Sequence, residues 1–75
     1  MSTSIVMICP CYFVDDKGQK VEYYRALVRT VDNGGVKYTL EKCCKDIKGL
    51  DDDHLSCDCL ILYDRYGRIC SVDFR

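Results

Sequence analysis

The chain is poor in the features that usually settle a protein's class. It has one proline, one histidine and five glycines in 75 residues. No apolar run approaches the roughly 20 residues that a membrane helix needs. The N-terminal run at residues 5–9 has no Lys or Arg ahead of it and breaks at Cys9-Pro10-Cys11, so it does not read as a secretory signal. Val6-Met7-Ile8 also lacks the small residue expected before a lipidated cysteine. Charge of one sign is missing as well. The net charge is −1 with a pI near 5.7, which removes any global case for nucleic acid or a membrane surface. The expectation is a soluble, cytoplasmic protein in a reducing compartment, with no membrane partner.

Chemistry-bearing motifs are equally scarce. There is no phosphate loop and no dinucleotide fingerprint. Asp51-Asp52-Asp53 lacks the spaced oxygen ligands and central Gly of a calcium loop. With one histidine, His54, the single nucleophile–base couple to weigh is Cys57 with His54, and nothing in the sequence orients that base. A chain this short also has little room to enclose a substrate. The expectation is a protein that is not an enzyme.

What is present is a recurring turn. Asp64-Arg65-Tyr66-Gly67 joins Cys57-Asp58-Cys59-Leu60-Ile61-Leu62-Tyr63 to Arg68-Ile69-Cys70-Ser71-Val72-Asp73-Phe74. Asp first and Gly fourth is a type I signature, with Gly accepting the positive φ that follows. The same spelling occurs at Asp15-Asp16-Lys17-Gly18 and Asp32-Asn33-Gly34-Gly35. Three such turns between runs rich in Val, Ile, Leu and Tyr predict hairpins. In the last hairpin Asp64 is expected opposite Arg68, Leu62 opposite Cys70, Leu60 opposite Val72 and Asp58 opposite Phe74.

Residues 4–14 read as a first strand, placed at an edge or a bulge by Pro10. Residues 19–31 favour strand, with a helix over residues 20–32 as the alternative, because Tyr24, Leu27, Val28 and Val31 also fit helical spacing. Residues 36–44 alternate cleanly. Val36, Tyr38 and Leu40 are expected to face Thr30, Val28 and Ala26. A two-residue turn at Asn33-Gly34 would slip that register by one. Acidic residues at 51–53 suit one short helical turn. The fold class expected is mainly β: one small domain, an antiparallel sheet or partly open five-stranded barrel. Its order of elements, β-β-β-short helix-β-β, resembles OB-type and SH3-type barrels.

Seven cysteines fall as Cys9-x-Cys11, Cys43-Cys44, Cys57-x-Cys59 and Cys70. Zinc knuckles are spelled CxxC, and none occurs. Two CxC pairs meeting across a sheet would make a tetrahedral thiolate site, so Cys9, Cys11, Cys57 and Cys59 are the candidate zinc ligands of a metal-stabilised module. The competing reading is cysteine as a small strand hydrophobe or a free thiol. Residues 17–48 net +4 and the remainder −5, a bipolar distribution. Tyr23, Arg25, Leu27 and Arg29, with Lys37 beside them, form the candidate partner-binding surface, since Tyr and Arg anchor interfaces. The expected function is a stoichiometric regulator or inhibitor that binds a larger protein, of the kind phage and mobile-element accessory proteins supply. Single-stranded nucleic-acid binding through an OB-like face is the alternative. Homodimerisation through a sheet edge would ease the small-core problem.

Overall fold

The structure is a computed structural model and describes residues 1–74. Five strands form one sheet: β1 (Ser2–Val14), β2 (Lys20–Asp32), β3 (Gly35–Lys48), β4 (Cys59–Tyr63) and β5 (Ile69–Phe74). A 3-10 turn, Asp52–His54, lies between β3 and β4. Residues 20–32 are therefore strand throughout, and the helical alternative is set aside. Among the described residues no helix is long and apolar enough to cross a membrane.

The strand order is β1-β2-β3-β5-β4. Neighbours are antiparallel except β3 with β5, which run parallel. The sheet is thus mainly antiparallel, as expected, with one parallel contact that makes it mixed. The cause is the connection at residues 49–58. It carries the chain back to β1, where Ser4 bridges Asp58 and the Ser56 N–H donates to the Ile5 carbonyl at 2.8 Å. That leaves β4 beside β1, so the last hairpin lays β5 between β4 and β3. The sheet curls without closing. β1 lies at an end of the strand order, which suits Pro10.

The curl encloses Ile5, Ala26, Val28, Cys59, Ile69 and Val72. Ile8, Cys43, Ile47, Leu50, Leu55, Ile61 and Phe74 pack against them. Two bulges shape this core. β1 shifts register against β2 between Ile5 and Met7, so Ile5 and Ile8 both face inward though three apart. β4 and β5 shift between Leu62 and Tyr63, so Ile69 and Val72 do the same. Beyond that shift Leu60 pairs with Asp73 and Leu62 with Ser71, not with Val72 and Cys70. Leu60 and Leu62 thereby leave the face of Val72 and are exposed, and Cys59 and Ile61 take their place.

Two of the three Asp turns form as their spelling requires. The Gly18 N–H donates to the Asp15 carbonyl and the Gly67 N–H to the Asp64 carbonyl, both at 3.0 Å. In each, the Asp Oδ1 accepts two further backbone N–H groups. The Asp32 turn differs. Asp32 pairs directly with Gly35, leaving the two-residue loop Asn33-Gly34. Val36, Tyr38 and Leu40 consequently pair with Val31, Arg29 and Leu27, one residue away from Thr30, Val28 and Ala26.

Among the described residues Asp64 carries the most heavily bonded carboxylate. It accepts from the backbone N–H of Arg68, from the Cys44 thiol at 3.1 Å, from the Arg68 Nε–H at 2.9 Å and from the Tyr66 N–H. These donors, the Arg68 N–H foremost, hold its carboxyl well below the usual carboxylate range. A depressed folded-state pKa stabilises the fold above the unfolded value of about 3.9, and that contribution is lost as pH falls below it. Asp64→Asn should flatten the stability curve in acid. Urea melts at stepped pH are the check.

Candidate interaction face

The outward side of β2 and β3 gathers the residues that nothing in the fold consumes. On β2 it carries Val21, Tyr23, Arg25, Leu27, Arg29 and Val31, alternating with the inward Ala26 and Val28. On β3 the paired residues are Val36, Tyr38, Leu40 and Lys42. Phe13 joins from β1, with its ring 5.9 Å from that of Tyr23. Tyr38 is 58% and Leu40 50% exposed, unusual for large apolar side chains in mid-strand. The three charges on this side of β2 and β3 are all positive. Arg25 and Lys42 lie over the Tyr23 ring at 5.5 and 5.4 Å. Among the described residues Arg25, Arg29 and Lys42 make no ion pair with a carboxylate, and the buried Arg25 Nε lacks a hydrogen-bond acceptor.

The structure therefore brings Tyr23, Arg25, Leu27 and Arg29 together on one face. It does not bring Lys37 there. Lys37 pairs with Thr30, on the side of Ala26 and Val28, because the two-residue turn moved β3 by one position. Lys42, Tyr38 and Leu40 stand in its stead. They were legible only to a reading that gave Asn33-Gly34 priority over Asp32.

The four proposed zinc ligands do not converge. Cys9 and Cys11 pair with Arg25 and Tyr23, which puts them on the outer side. Cys59 is in the core on the opposite side, and Cys57 is exposed ahead of β4. Among the described residues no three His, Cys, Asp or Glu side chains are placed to hold a metal ion. Cys43 is half-buried, and burial, then the Glu41 charge, push its thiol pKa up. The hydrogen bond to Asp64 does the same for Cys44. Since thiolate is the reactive form, alkylation of the native protein should reach exposed Cys57 well before Cys43 and Cys59. Timed iodoacetamide labelling with peptide mapping checks that order.

His54 is spent on structure. Its Nδ1 lies 2.8 Å from Asp51 Oδ2, and its ring stacks on Phe74 with centroids 5.1 Å apart. Asp51 in turn caps the 3-10 turn by accepting from the Asp53 N–H. The His54–Cys57 link in the structure is a backbone one, Cys57 N–H to His54 carbonyl. Across the sheet the Tyr63 hydroxyl donates to Glu41 Oε2 at 2.8 Å. Burial first, then that bond, push the Tyr63 phenol up to about 12. The bond's stabilisation is complete below pH 10 and lost as pH rises toward 12. An ultraviolet pH titration should show a tyrosine step near pH 12, and Tyr63→Phe should remove it.

A groove of about 690 Å³ opens where β3 leaves β2, lined by Ile8, Tyr24, Cys43, Ile47, Leu50 and Leu55 with Lys45 and Asp52 at its polar positions. Sequence reasoning missed it, because strand divergence after Lys42 is not written in any single strand. No family model, curated protein or solved structure matches this chain. Fold and face together define a small, curled five-stranded β module with one cationic, aromatic outer side.

Proposed function

We propose that this chain is a non-catalytic binding module that occupies a larger protein through the outer face of β2 and β3, acting as a stoichiometric regulator or inhibitor. One observation carries the reading. Arg25, Arg29 and Lys42 make no ion pair among the described residues and are set among half-buried Tyr23 and Leu27 and exposed Tyr38 and Leu40. Tyr and Arg beside aliphatics are the composition of interface hot spots, and the unpaired guanidinium groups suit acidic residues on the partner's rim. The apolar side chains here outnumber the cations, which favours a protein partner over a phosphate backbone.

Single-stranded nucleic acid is the second reading, supported by the Tyr23 ring with Arg25 and Lys42 over it. Stacked bases use just such aromatic and cationic surfaces on OB-like strands. The test is affinity capture from the source organism, with nuclease treatment, using wild type and Arg25→Glu/Arg29→Glu. A protein retained by wild type, resistant to nuclease and lost with the double variant at unchanged circular dichroism is the expected result. Capture that survives both changes removes this face from the account. Capture that disappears with nuclease and falls steeply with salt transfers it to nucleic acid.

A further inference from the structure

The far edge of β3 is open. β3 pairs with β2 from Gly35 to Lys42, and its other side first meets β5 at Cys43. Asp32 pairs with Gly35 across a two-residue turn, which makes that the last hydrogen-bonded pair of the hairpin. Hydrogen-bonded pairs alternate, so Lys37, Thr39 and Glu41 bond toward β2. Val36, Tyr38 and Leu40 then direct their N–H and C=O groups away from β2, with no ladder partner among the described residues. Such an edge is a template for another strand. The free edge of β1 is a poorer one, because Pro10 lacks a donor.

We propose that the β3 edge pairs with the same edge of a second copy of this chain, antiparallel about a two-fold axis at Thr39. The charges select this occupant and this register. Only outward-directed residues can share hydrogen bonds, so each allowed register differs from the next by two residues. With Thr39 on the axis, Tyr38 of each copy faces Leu40 of the other, and Lys37 of each faces Glu41 of the other. Moving one step puts Tyr38 opposite Tyr38 and Lys37 opposite Thr39, and both charge pairs are lost. The opposite step puts Leu40 opposite Leu40 and Thr39 opposite Glu41, again with no charge pair. Lys37 makes no ion pair within the chain among the described residues. Glu41 accepts from Tyr63 and Thr39 through Oε2 alone, leaving Oε1 for the second copy's lysine. Opposite charges directly across a strand pair stabilise it, and like charges do the reverse.

The pairing joins the outer sides of β1, β2 and β3 of both copies into one six-stranded surface, doubling the cationic face. Arg25 and Arg29 take no part in the pairing, so the dimer and the partner-binding reading stand or fall separately.

Sedimentation velocity over a concentration series tests it. Wild type should move from monomer to dimer as concentration rises. Lys37→Glu and Glu41→Lys should each stay monomeric, because each sets like charges across the axis. An equimolar mixture of these two variants should dimerise again, since every pair is then Lys against Glu. Thr39→Lys, which places two lysines on the axis without touching the Tyr63 contact, should also be monomeric, and it serves where Glu41→Lys disturbs the fold. Wild type that remains monomeric to millimolar concentration overturns the proposal. So does a dimer that Lys37→Glu and Thr39→Lys leave intact, or a mixture that fails to restore it.

Discussion

Gly49→Ala should destabilise the protein by about 2–5 kcal/mol, a large part of the roughly 4–11 kcal/mol expected of a domain this size. Two costs combine. Gly49 has φ +81°, and L side chains enter that region at about 1–2 kcal/mol. A Cβ there also falls on the Val72 carbonyl, which belongs to β5 and cannot step aside without disturbing Val72 in the core. Gly49 begins the connection that sends the chain from β3 back toward β1, so its close approach to β5 is part of how the sheet curls. Gly18→Ala is the matched control. Its φ is +77°, yet nothing lies within 4 Å of the added Cβ. That variant should lose only the backbone term. The gap between the two urea midpoints isolates the contact with Val72. Equal midpoints would mean that residue 49 does not sit against β5.

Ile69→Ala should cost about 2–5 kcal/mol, the range for deleting most of a buried aliphatic side chain. Ile69 is wholly buried at the point where β5 meets both β3 and β4, through Cys43 and Tyr63. Leu62→Ala, by contrast, should stay within about 0.5 kcal/mol, since Leu62 is 51% exposed on the outer side. In the regular hairpin read from the turn sequence Leu62 shares the face of Val72 and Ile69 lies on the other, so burying Val72 there would reverse the ranking. The pair of variants thus reads the bulge directly. A large loss at Leu62 with little at Ile69 would restore the unbulged hairpin.

How far the chain could be read in advance follows from these two elements. Strand content and the Asp15 and Asp64 turns were legible, because both are local: an Asp side chain bonding its own loop, a Gly at positive φ, and β-branched runs between them. The outer residues Tyr23, Arg25, Leu27 and Arg29 were legible too, since alternation within β2 is unbroken. Lys37 was misplaced because Asp32-Asn33-Gly34-Gly35 spells two turns at once, and the shorter one won. Leu60 and Leu62 were misplaced because a bulge replaces period two by a step of three, and both Ile5 with Ile8 and Ile69 with Val72 show that step. No residue type announces it; it is fixed by what the strand must pack against. The parallel β3–β5 contact and the groove beside Tyr24 depend on where the 49–58 connection travels, which is decided by packing across the whole sheet. The same packing separates Cys59 from Cys9 and Cys11, a separation that spacing alone conceals.

The face assignment rests on how β2 and β3 line up, and nuclear Overhauser contacts between α-protons read that alignment without mutation. Strong cross-strand contacts from Arg29 to Tyr38 and from Leu27 to Leu40 are the expected result. Contacts linking Val28 to Tyr38 and Ala26 to Leu40 would put Lys37 back beside Arg25 and Arg29, and contradict the surface described.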